Sequence, residues 1–472
     1  MNLKRTLVLL HLLFVVHLLH AQFNHFFENK TLRIDYFHSG TATKEFISLD
    51  QAYEEGVWAG SQTNLIDTLN LGKYLVKVFD GATNQLIYSR GYSNIYGEWE
   101  TTEEAKNEVF RTFHESVLAP FPKKPVQVTI GKRDKWMHFQ DIFSTVIDPA
   151  SRFVNREKRG QEFKVTTLLE NGPPHQKVDF LLLGDGYANS DLDKFRKDAE
   201  RWKKVILETS PFKEHAKKIN VRAIEVVSED SGIDDPRKNV WKSTPLGTSY
   251  NSLDSQRYIL TLENRAWRDI ASAAPYDFIY ILVNSTQYGG GGIYNQFATG
   301  MTGVQNPQMD WHVDYMFTHE FGHSFAGLGD EYYTSDVSYL EFYPAGVEPW
   351  EPNVTALVSK DRVKWESFME SGTPLPTQWA KAKFDSLEAI RATWNRSEPG
   401  YYEKWLGMRK QQDDLMKSSH HFGKVGAFEG AGYSSKGLYR PAVDCRMFSL
   451  SLTPFDPVCA AGIERVIRFY AE

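Results

Sequence analysis

The sequence predicts an α+β protein in which an N-terminal antiparallel β-sandwich precedes a second domain built around one histidine-containing helix. Residues 27–148 form short runs of alternating or apolar side chains separated by turn residues, which is typical of antiparallel strands. From residue 177 onward, apolar runs alternate with helical stretches, and a histidine-containing helix follows. We therefore expect a signal peptide at 1–21 and domains at 22–155 and 160–472.

The N-terminal residues have the composition of a secretory signal peptide. Residues 1–5 are short and basic, residues 6–19 are apolar apart from two histidines, and Ala21 offers a small residue for cleavage before Gln22. An uncleaved membrane anchor is the alternative, but the apolar run is shorter than the roughly 20 residues that a span needs. We expect a secreted or periplasmic protein with no stable membrane span.

Charge and composition narrow the range of partners. Removal of the signal peptide takes away Lys4 and Arg5, which leaves 52 basic against 60 acidic residues and a net charge of -8 with histidines neutral. Because the chain has no basic tail or patch, we expect no nucleic-acid partner. The aromatic content of 14% fits a well-filled core better than an aromatic-lined groove.

Strands dominate the predicted N-terminal domain. They are expected at residues 31–37, 73–79, 85–90 and 125–130, with turn signals such as Asp80-Gly81 between them. Residues 103–119 fit either a single helix or a long connection between sheets. No cluster of His, Asp or Glu in this domain predicts a site, so it could bind a partner or shield the second domain.

The second domain follows a basic, polar stretch at 152–164 that is suited to a linker. Its predicted strands are 177–183, 221–227 and 276–283. Its predicted helices run from near Ser190 or Asp191 to about 209 and over 255–272, and residues 230–249 are predicted to be a loop. Four glycines at 289–292 then allow another backbone to approach closely. They favour either an edge strand that pairs with a substrate chain or a flexible hairpin tip.

A helix at about 311–326, with Asp310 as its N-cap, carries the most informative residues of the chain. His319 and His323 are four residues apart, so both imidazoles project from one face and can share one tetrahedral zinc ion. Glu320 lies beside them but off that face, where a carboxylate can take a proton from a zinc-bound water. His312 is about 10 Å back along the helix axis, which is too far to share the metal.

The third metal ligand must come from beyond the helix. Gly327 and Gly329 suit a helix end that turns the chain back and delivers Asp330 and Glu331. The interval from Gly327 to Asp330 resembles the metzincin pattern, although the glycine falls one residue later after the second histidine than usual. Asp330 is therefore the first candidate, and Glu331 is the alternative.

The C-terminal part contributes two cysteines and further helices. Cys445 and Cys459 are the only cysteines, and in an exported protein we expect them to pair, with metal ligation as the alternative. Helices are expected at 361–370, 384–394 and 460–470, with loops over the remainder to 441. Tyr332 and Tyr333 could polarise a carbonyl near the metal or simply pack.

Several of these motifs together resemble the IgA peptidase family of bacterial zinc metallopeptidases. The resemblance rests on residues 319–333 (HEFGHSFAGLGDEYY), on 426–431 followed by 439–441, and on 445–447 with Cys459. It implies a metzincin-like catalytic domain that contains Zn²⁺ and cleaves protein or peptide substrates as an endopeptidase. It also implies the roles of individual residues: His319, His323 and Asp330 as zinc ligands, Glu320 as catalytic base, and Met447 as the methionine of the Met-turn.

The expected function is therefore that of a secreted zinc endopeptidase in which Glu320 activates a zinc-bound water. One alternative is a zinc hydrolase of another amide. A second is a non-catalytic surface-binding protein with a structural zinc, which would have no use for the Glu320 carboxylate.

Overall fold

The computed structural model describes residues 22–334, 337, 339, 342–359, 362–395 and 398–472. It shows a mixed α+β protein with several sheets. The signal peptide predicted at 1–21 lies outside the described residues, and the predicted domain bounds stay a prediction. Within the described part of the chain, no helix is long and apolar enough to cross a membrane.

The chain forms two compact units. The first comprises Met1–Gly327, Ser338–Glu341 and Ile463–Glu472, and the second comprises Leu328–Val337 and Phe342–Gly462. The strands of the first unit are β1 (Phe27–Gly40), β2 (Glu45–Glu55), β3 (Tyr74–Asp80), β4 (Leu86–Tyr92), β5 (Arg111–Pro122), β6 (Val126–Arg133), β7 (Phe139–Ile147), β8 (Val154–Asn155), β9 (Val165–Leu169), β10 (Val178–Asp185), β11 (Ile219–Ile224), β12 (Thr248–Ser249), β13 (Leu260–Thr261), β14 (Phe278–Val283), β15 (Gly290–Ile293) and β16 (Phe297–Met301). Its helices include α1 (Ile95–Trp99), α2 (Glu103–Lys106), α3 (Leu192–Glu208), α4 (Asn264–Ala271) and α5 (Trp311–Ala326).

Two four-stranded sheets form the N-terminal part of the first unit. Their strand orders are β5-β1-β2-β8 and β4-β3-β6-β7, and all pairs are antiparallel except β2 with β8. Alternate residues of both sheets, such as Leu32 and Ile34 of β1 and Val76 and Val78 of β3, belong to one buried core. This period of two is what the alternating sequence pattern predicted.

The stretch 103–119 differs from both predictions made for it. Only a single helical turn, α2, is present, and β5 then pairs with β1 along most of its length. The strand was missed because buried positions on both of its faces carry polar side chains. Glu115 accepts hydrogen bonds from Asn94 and from the Tyr96 N–H, and Ser116 donates to Asp35. These buried partners replace the apolar alternation by which a strand is recognised.

Buried His38 makes the stability of the first unit dependent on pH. Burial alone would lower its pKa, but the carboxylates of Glu115 and Glu45, 2.9 and 2.8 Å from its ring nitrogens, outweigh burial and raise the pKa to about 9. Because the pKa of His38 is higher in the folded protein than in the unfolded chain, protonation of His38 stabilises the fold. This stabilisation is fully present at pH values below the unfolded-state pKa of about 6.5 and is lost as the pH rises through 9. We expect the unfolding free energy to fall by about 3 kcal/mol between these limits.

Denaturant unfolding at pH 6 and pH 9.5 measures this effect. His38→Gln should shrink the difference between the two pH values, whereas the same change at His25, an exposed histidine of the same unit, should leave it unchanged. An equal loss in wild type and His38→Gln would contradict this account.

A six-stranded mixed sheet, in the order β15-β16-β14-β10-β11-β9, holds the rest of the first unit. Strands β11, β10, β14 and β16 are parallel, and β9 and β15 are antiparallel edges. The central strands β10 and β14 are buried on both faces, which explains their continuous apolar sequence. On one face, Leu181 and Ile279 share a core with Trp267 of α4. On the other face, Phe180 packs against rings of α3 and α5.

The prediction of a helix over 255–272 was wrong for its first half. Strand β13 pairs with β12 there, and the helix α4 starts only at Asn264. The predicted strands at 221–227 and 276–283 are present as β11 and β14, and the helix predicted from Ser190 or Asp191 is α3.

Among its described residues, the second unit contains a hairpin and two complete α-helices. Its elements are β17 (Phe428–Ala431), β18 (Ser434–Arg440), α6 (Lys381–Ala392) and α7 (Tyr401–Lys417), and α8 (Pro457–Ala471) begins in it. Helix α7 falls where loops were predicted. Its buried stripe has helical spacing but is narrow, and one of its members, Gln412, is polar. The other members are Trp405, Met408 and Met416, so the apolar signal of a helix was weak. Of the helix predicted at 361–370, residue 361 is not described, and Glu366–Phe368 form one short 3-10 turn.

Candidate metal centre

Helix α5 has the predicted bounds and places His319 and His323 on one face, one turn apart. Their Nε2 atoms are 3.3 Å apart. Two imidazole nitrogens at about 2.0–2.1 Å from a tetrahedral zinc ion are separated by about 3.3 Å. The pair therefore has the spacing that a shared zinc ion requires. Asp310 occupies the N-cap position, but its carboxylate binds the guanidinium of Arg201 and makes no side-chain capping bond.

The first histidine is oriented by a residue that sequence reasoning missed. The hydroxyl of Tyr315 lies 3.0 Å from Nδ1 of His319, and the two rings are stacked. A hydrogen bond at Nδ1 fixes the orientation of the ring and leaves Nε2 for a metal. Residues that do not bind the metal themselves commonly orient histidine ligands in this way. The signal was present in the sequence, because Tyr315, His319 and His323 follow one another at intervals of four and so share a helix face.

The opposite face of α5 anchors the helix to the six-stranded sheet. Phe321 and Phe325 pack against Phe180 and Phe278 at ring-centroid distances of 4.5–5.7 Å. Such clustered rings bury a large apolar area and fix the rotation of the helix about its axis. The histidine pair is thus carried on a rigid element.

His312 shares this helix but has a different environment. It is buried, its ring lies against Tyr288 and Trp311, and burial lowers its pKa to about 4. A neutral, packed imidazole agrees with the packing role predicted for it, and it offers a matched control for the two other histidines.

Glu320 follows His319 and is nearly buried, with 9% of its surface exposed. The glycine strand β15 passes directly beside it. A Cβ at Gly290 would lie 2.9 Å from Cγ of Glu320, and a Cβ at Gly292 would overlap the Glu320 carbonyl oxygen and lie 2.9 Å from Cβ of His323. The glycines therefore allow the strand to lie against the histidine-bearing helix, which larger residues would prevent.

The position of β15 favours the edge-strand interpretation over a hairpin tip. It is an edge of the six-stranded sheet, and β16 covers its inner side. On its outer side, the backbone of Gly290 already donates to Arg257 and accepts from Ile259. Because outward-facing bonds recur every second residue along a strand, the next outward-facing backbone groups belong to Gly292.

Gly292→Ala should destabilise the first unit by about 1–3 kcal/mol, because the added methyl group overpacks the contact between β15 and α5. Gly407→Ala is the matched control. Gly407 lies inside α7, and nothing lies within 4 Å of the position that an added methyl group would take, so this change should stabilise its helix by roughly 0.5–1 kcal/mol. Thermal unfolding of both variants checks the pair, and equal shifts of the same sign would contradict the packing account.

Gly327 ends α5 as predicted. Its φ of 60° and ψ of 32° are left-handed, and its N–H bonds the carbonyls of Gly322 and His323. This is the conformation that glycine adopts at little cost and that turns the chain out of the helix. Asp330 and Glu331 follow within four residues.

The two carboxylates beyond the turn have different surroundings within the second unit. Asp330 accepts a hydrogen bond from the Tyr433 hydroxyl, and its carbonyl accepts the N–H of Gly432. Glu331 is fully buried, and its Oε1 accepts from Asn353 Nδ2 at 2.9 Å and from Cys459 at 3.2 Å. Both carboxylates therefore have hydrogen-bond partners inside the second unit.

Met447 is tied to the same segment, since its carbonyl accepts the N–H of Glu331 at 2.9 Å. Of the two tyrosines singled out in the sequence, Tyr333 donates its hydroxyl to Asp385, and the ring of Tyr332 packs against that of Tyr433. The contacts of Tyr333 are those of a packed residue. The tyrosine whose hydroxyl contacts a predicted site residue is Tyr433, which donates to Asp330.

The two cysteines were predicted to form a disulfide, but they lie side by side without being bonded. Cys445 and Cys459 are free and buried, with their sulfurs 3.8 Å apart. A disulfide requires about 2.05 Å. The expected disulfide is therefore absent from this structure.

Comparison with known proteins gives a family for nearly the whole chain. The family model described as IgA Peptidase M64 matches residues 166–467, and the one described as Peptidase M64 N-terminus matches residues 22–144. No curated protein matches the chain.

Proposed function

Since the chain belongs to the IgA peptidase family M64 and is a peptidase, we propose that it is a zinc-dependent endopeptidase with Glu320 as its general base. The observation that carries this proposal is the 3.3 Å separation of the His319 and His323 Nε2 atoms, with Glu320 next in the chain. This separation suits a shared tetrahedral ion, and an adjacent carboxylate suits proton transfer.

We propose Asp330 as the third ligand. Gly327 turns the chain out of α5, and three further residues can span about 10 Å. The alternative, Glu331, is fully buried with its Oε1 against Asn353 and Cys459, so we assign it to that cluster and not to the histidine site. Three protein ligands would leave the fourth position open, as catalytic zinc sites do.

Each group has a defined part in the proposed hydrolysis. Zinc, when bound, lowers the pKa of a coordinated water towards 7 and polarises the scissile carbonyl. Glu320 takes a proton from the attacking water and gives it to the leaving amine. Tyr315 holds the His319 ring by its Nδ1, so that Nε2 keeps its direction.

The proposed substrate is an extended protein or peptide chain. Such a chain can add to the outer edge of β15 by main-chain hydrogen bonds. Arg257 and Ile259 occupy this edge at Gly290, so substrate pairing would begin at Gly292, which lies against the helix that carries Glu320. Export after cleavage near Ala21 completes the proposal and gives the enzyme access to extracellular or periplasmic proteins.

Removal and return of the metal tests the proposed function. A zinc chelator should abolish hydrolysis of an unbiased peptide library by the purified protein, and stoichiometric zinc should restore it. A panel of acetylated sugars and other amides, run in parallel, identifies the competing class of hydrolase. Full peptide cleavage after verified loss of zinc would overturn the proposal.

A further inference from the structure

The second unit contains a buried cluster of four acidic groups that the proposed catalysis does not use. One ligand atom from each of Glu331, Cys445, Asp456 and Cys459 lies within 4.8 Å of the others, and all four residues are buried. They come from three separate segments: the chain after the α5 turn, the turn that contains Met447, and the start of α8. Burying four such groups together is costly unless a cation or their own protons compensate.

The distances fit a bound zinc ion better than a disulfide. The Cys445 and Cys459 sulfurs are 3.8 Å apart. Two thiolates at about 2.3 Å from a tetrahedral zinc ion are separated by about 3.8 Å, against about 2.05 Å in a disulfide. The distance from Cys459 Sγ to Glu331 Oε1 is 3.2 Å, close to the roughly 3.5 Å expected between a sulfur and an oxygen ligand.

Burial raises the pKa of both thiols, and the surrounding backbone opposes this effect. Sγ of Cys445 receives the N–H groups of Met447 at 3.5 Å and Asp456 at 3.4 Å. Cys459 lies in the first turn of α8, where the helix dipole stabilises negative charge. Both features lower the cost of deprotonating the sulfurs, as metal binding requires.

Two carboxylate oxygens of the cluster indicate that a cation binds there. Among the described residues, Glu331 Oε2 and Asp456 Oδ2 are buried and have no hydrogen-bond partner. Asp456 Oδ1, by contrast, accepts the N–H groups of Val458 and Cys459 at 2.7 and 3.1 Å, which fixes the direction of the carboxylate. Buried oxygens left without a partner are rare in native proteins and call for an explanation such as an ion.

We propose that Glu331, Cys445, Asp456 and Cys459 bind a second zinc ion, which is structural. Four protein donors leave no open position for water, and paired sulfurs select zinc over magnesium or calcium. The ion would tie the start of α8 to Glu331, the neighbour of Asp330, and to Cys445, two residues before Met447. The site is independent of the proposed peptidase mechanism, since it contains neither histidine nor Glu320.

Zinc content per chain of the full-length protein, measured by elemental analysis, tests this proposal. We expect two ions in wild type, one in the double variant His319→Gln/His323→Gln, and one in Cys445→Ser/Cys459→Ser. Loss of zinc in the cysteine variant alone would support the second site while removing support for the catalytic one. Wild-type zinc content that the cysteine substitutions do not change would overturn the second site.

Two further measurements keep the proposal testable if the cysteine variant does not fold. X-ray absorption at the zinc edge of His319→Gln/His323→Gln should show sulfur at about 2.3 Å, and a shell of only nitrogen and oxygen would overturn the site. Glu331→Gln should release the second zinc at lower chelator concentration than Glu351→Gln, which changes another buried carboxylate of the same unit. A mass about 2 Da below that of the reduced chain, with no reactive thiol after denaturation, would identify a disulfide and also overturn it.

Discussion

Replacing Glu320 with glutamine should lower kcat/KM for peptide hydrolysis by about 10³-fold, or about 4 kcal/mol in the activation barrier, while zinc stays bound. Glutamine has nearly the same shape and fills the same space beside Gly290, but its amide cannot accept the proton of the attacking water. The change therefore separates proton transfer from packing and from metal binding.

Three measurements on Glu320→Gln distinguish these effects. Zinc content and thermal stability should match those of wild type, because Glu320 is not among the proposed ligands. Steady-state kinetics on one cleaved peptide should show the loss in kcat rather than in KM, since a general base acts in the transition state. Activity within tenfold of wild type would remove Glu320 from the mechanism.

Replacing His323 with glutamine should weaken zinc binding at the histidine site by more than about 100-fold and remove measurable activity. Loss of a residue that only orients a ligand typically costs about 10–100-fold in affinity, and loss of a ligand should cost more. The remaining imidazole of His319 keeps its contact with Tyr315 but has no nitrogen partner 3.3 Å away.

His312→Gln is the matched control for this experiment, because it changes a buried histidine of the same helix that burial keeps neutral. Competition with a chelator of known affinity measures zinc binding by both variants. We expect His312→Gln to bind zinc like wild type, with at most a loss of stability. Similar zinc affinities for the two variants would show that His323 is not a ligand.

The elements that sequence reasoning predicted well are those with a single dominant signal. The strands β10 and β14 are buried on both sides, so an unbroken apolar run identified them. Helix α5 was placed with its correct bounds because its glycine stop and its histidine spacing agree. At these positions the local sequence pattern and the tertiary packing favour the same structure.

The elements that were missed owe their stability to tertiary partners. Strand β5 buries Glu115 and Ser116 on opposite faces, and their hydrogen-bond partners are distant in sequence. Helix α7 buries only a narrow stripe that includes Gln412. In both cases the long-range partner decides the structure, and a pattern within a short window of sequence does not contain it.

At the candidate site, too, some features could be predicted from a local sequence pattern, and others depend on partners distant in sequence. The residue types and spacing of His319, Glu320 and His323 were readable from the motif alone. The contact of Tyr315 with His319 was readable in principle from its interval of four residues. The engagement of Glu331 with Asn353 and Cys459 was not, because it joins segments that are 22 and 128 residues apart in the chain.

Mass-spectrometric mapping of cleavage positions in an unbiased peptide library tests the central claim most directly. It should be run with wild type and with Glu320→Ala, each with its zinc content measured. We predict cleavage within peptides by wild type, none by Glu320→Ala, and zinc in both proteins. Cleavage by both zinc-loaded proteins, or by neither, would contradict a zinc endopeptidase in which Glu320 is the base.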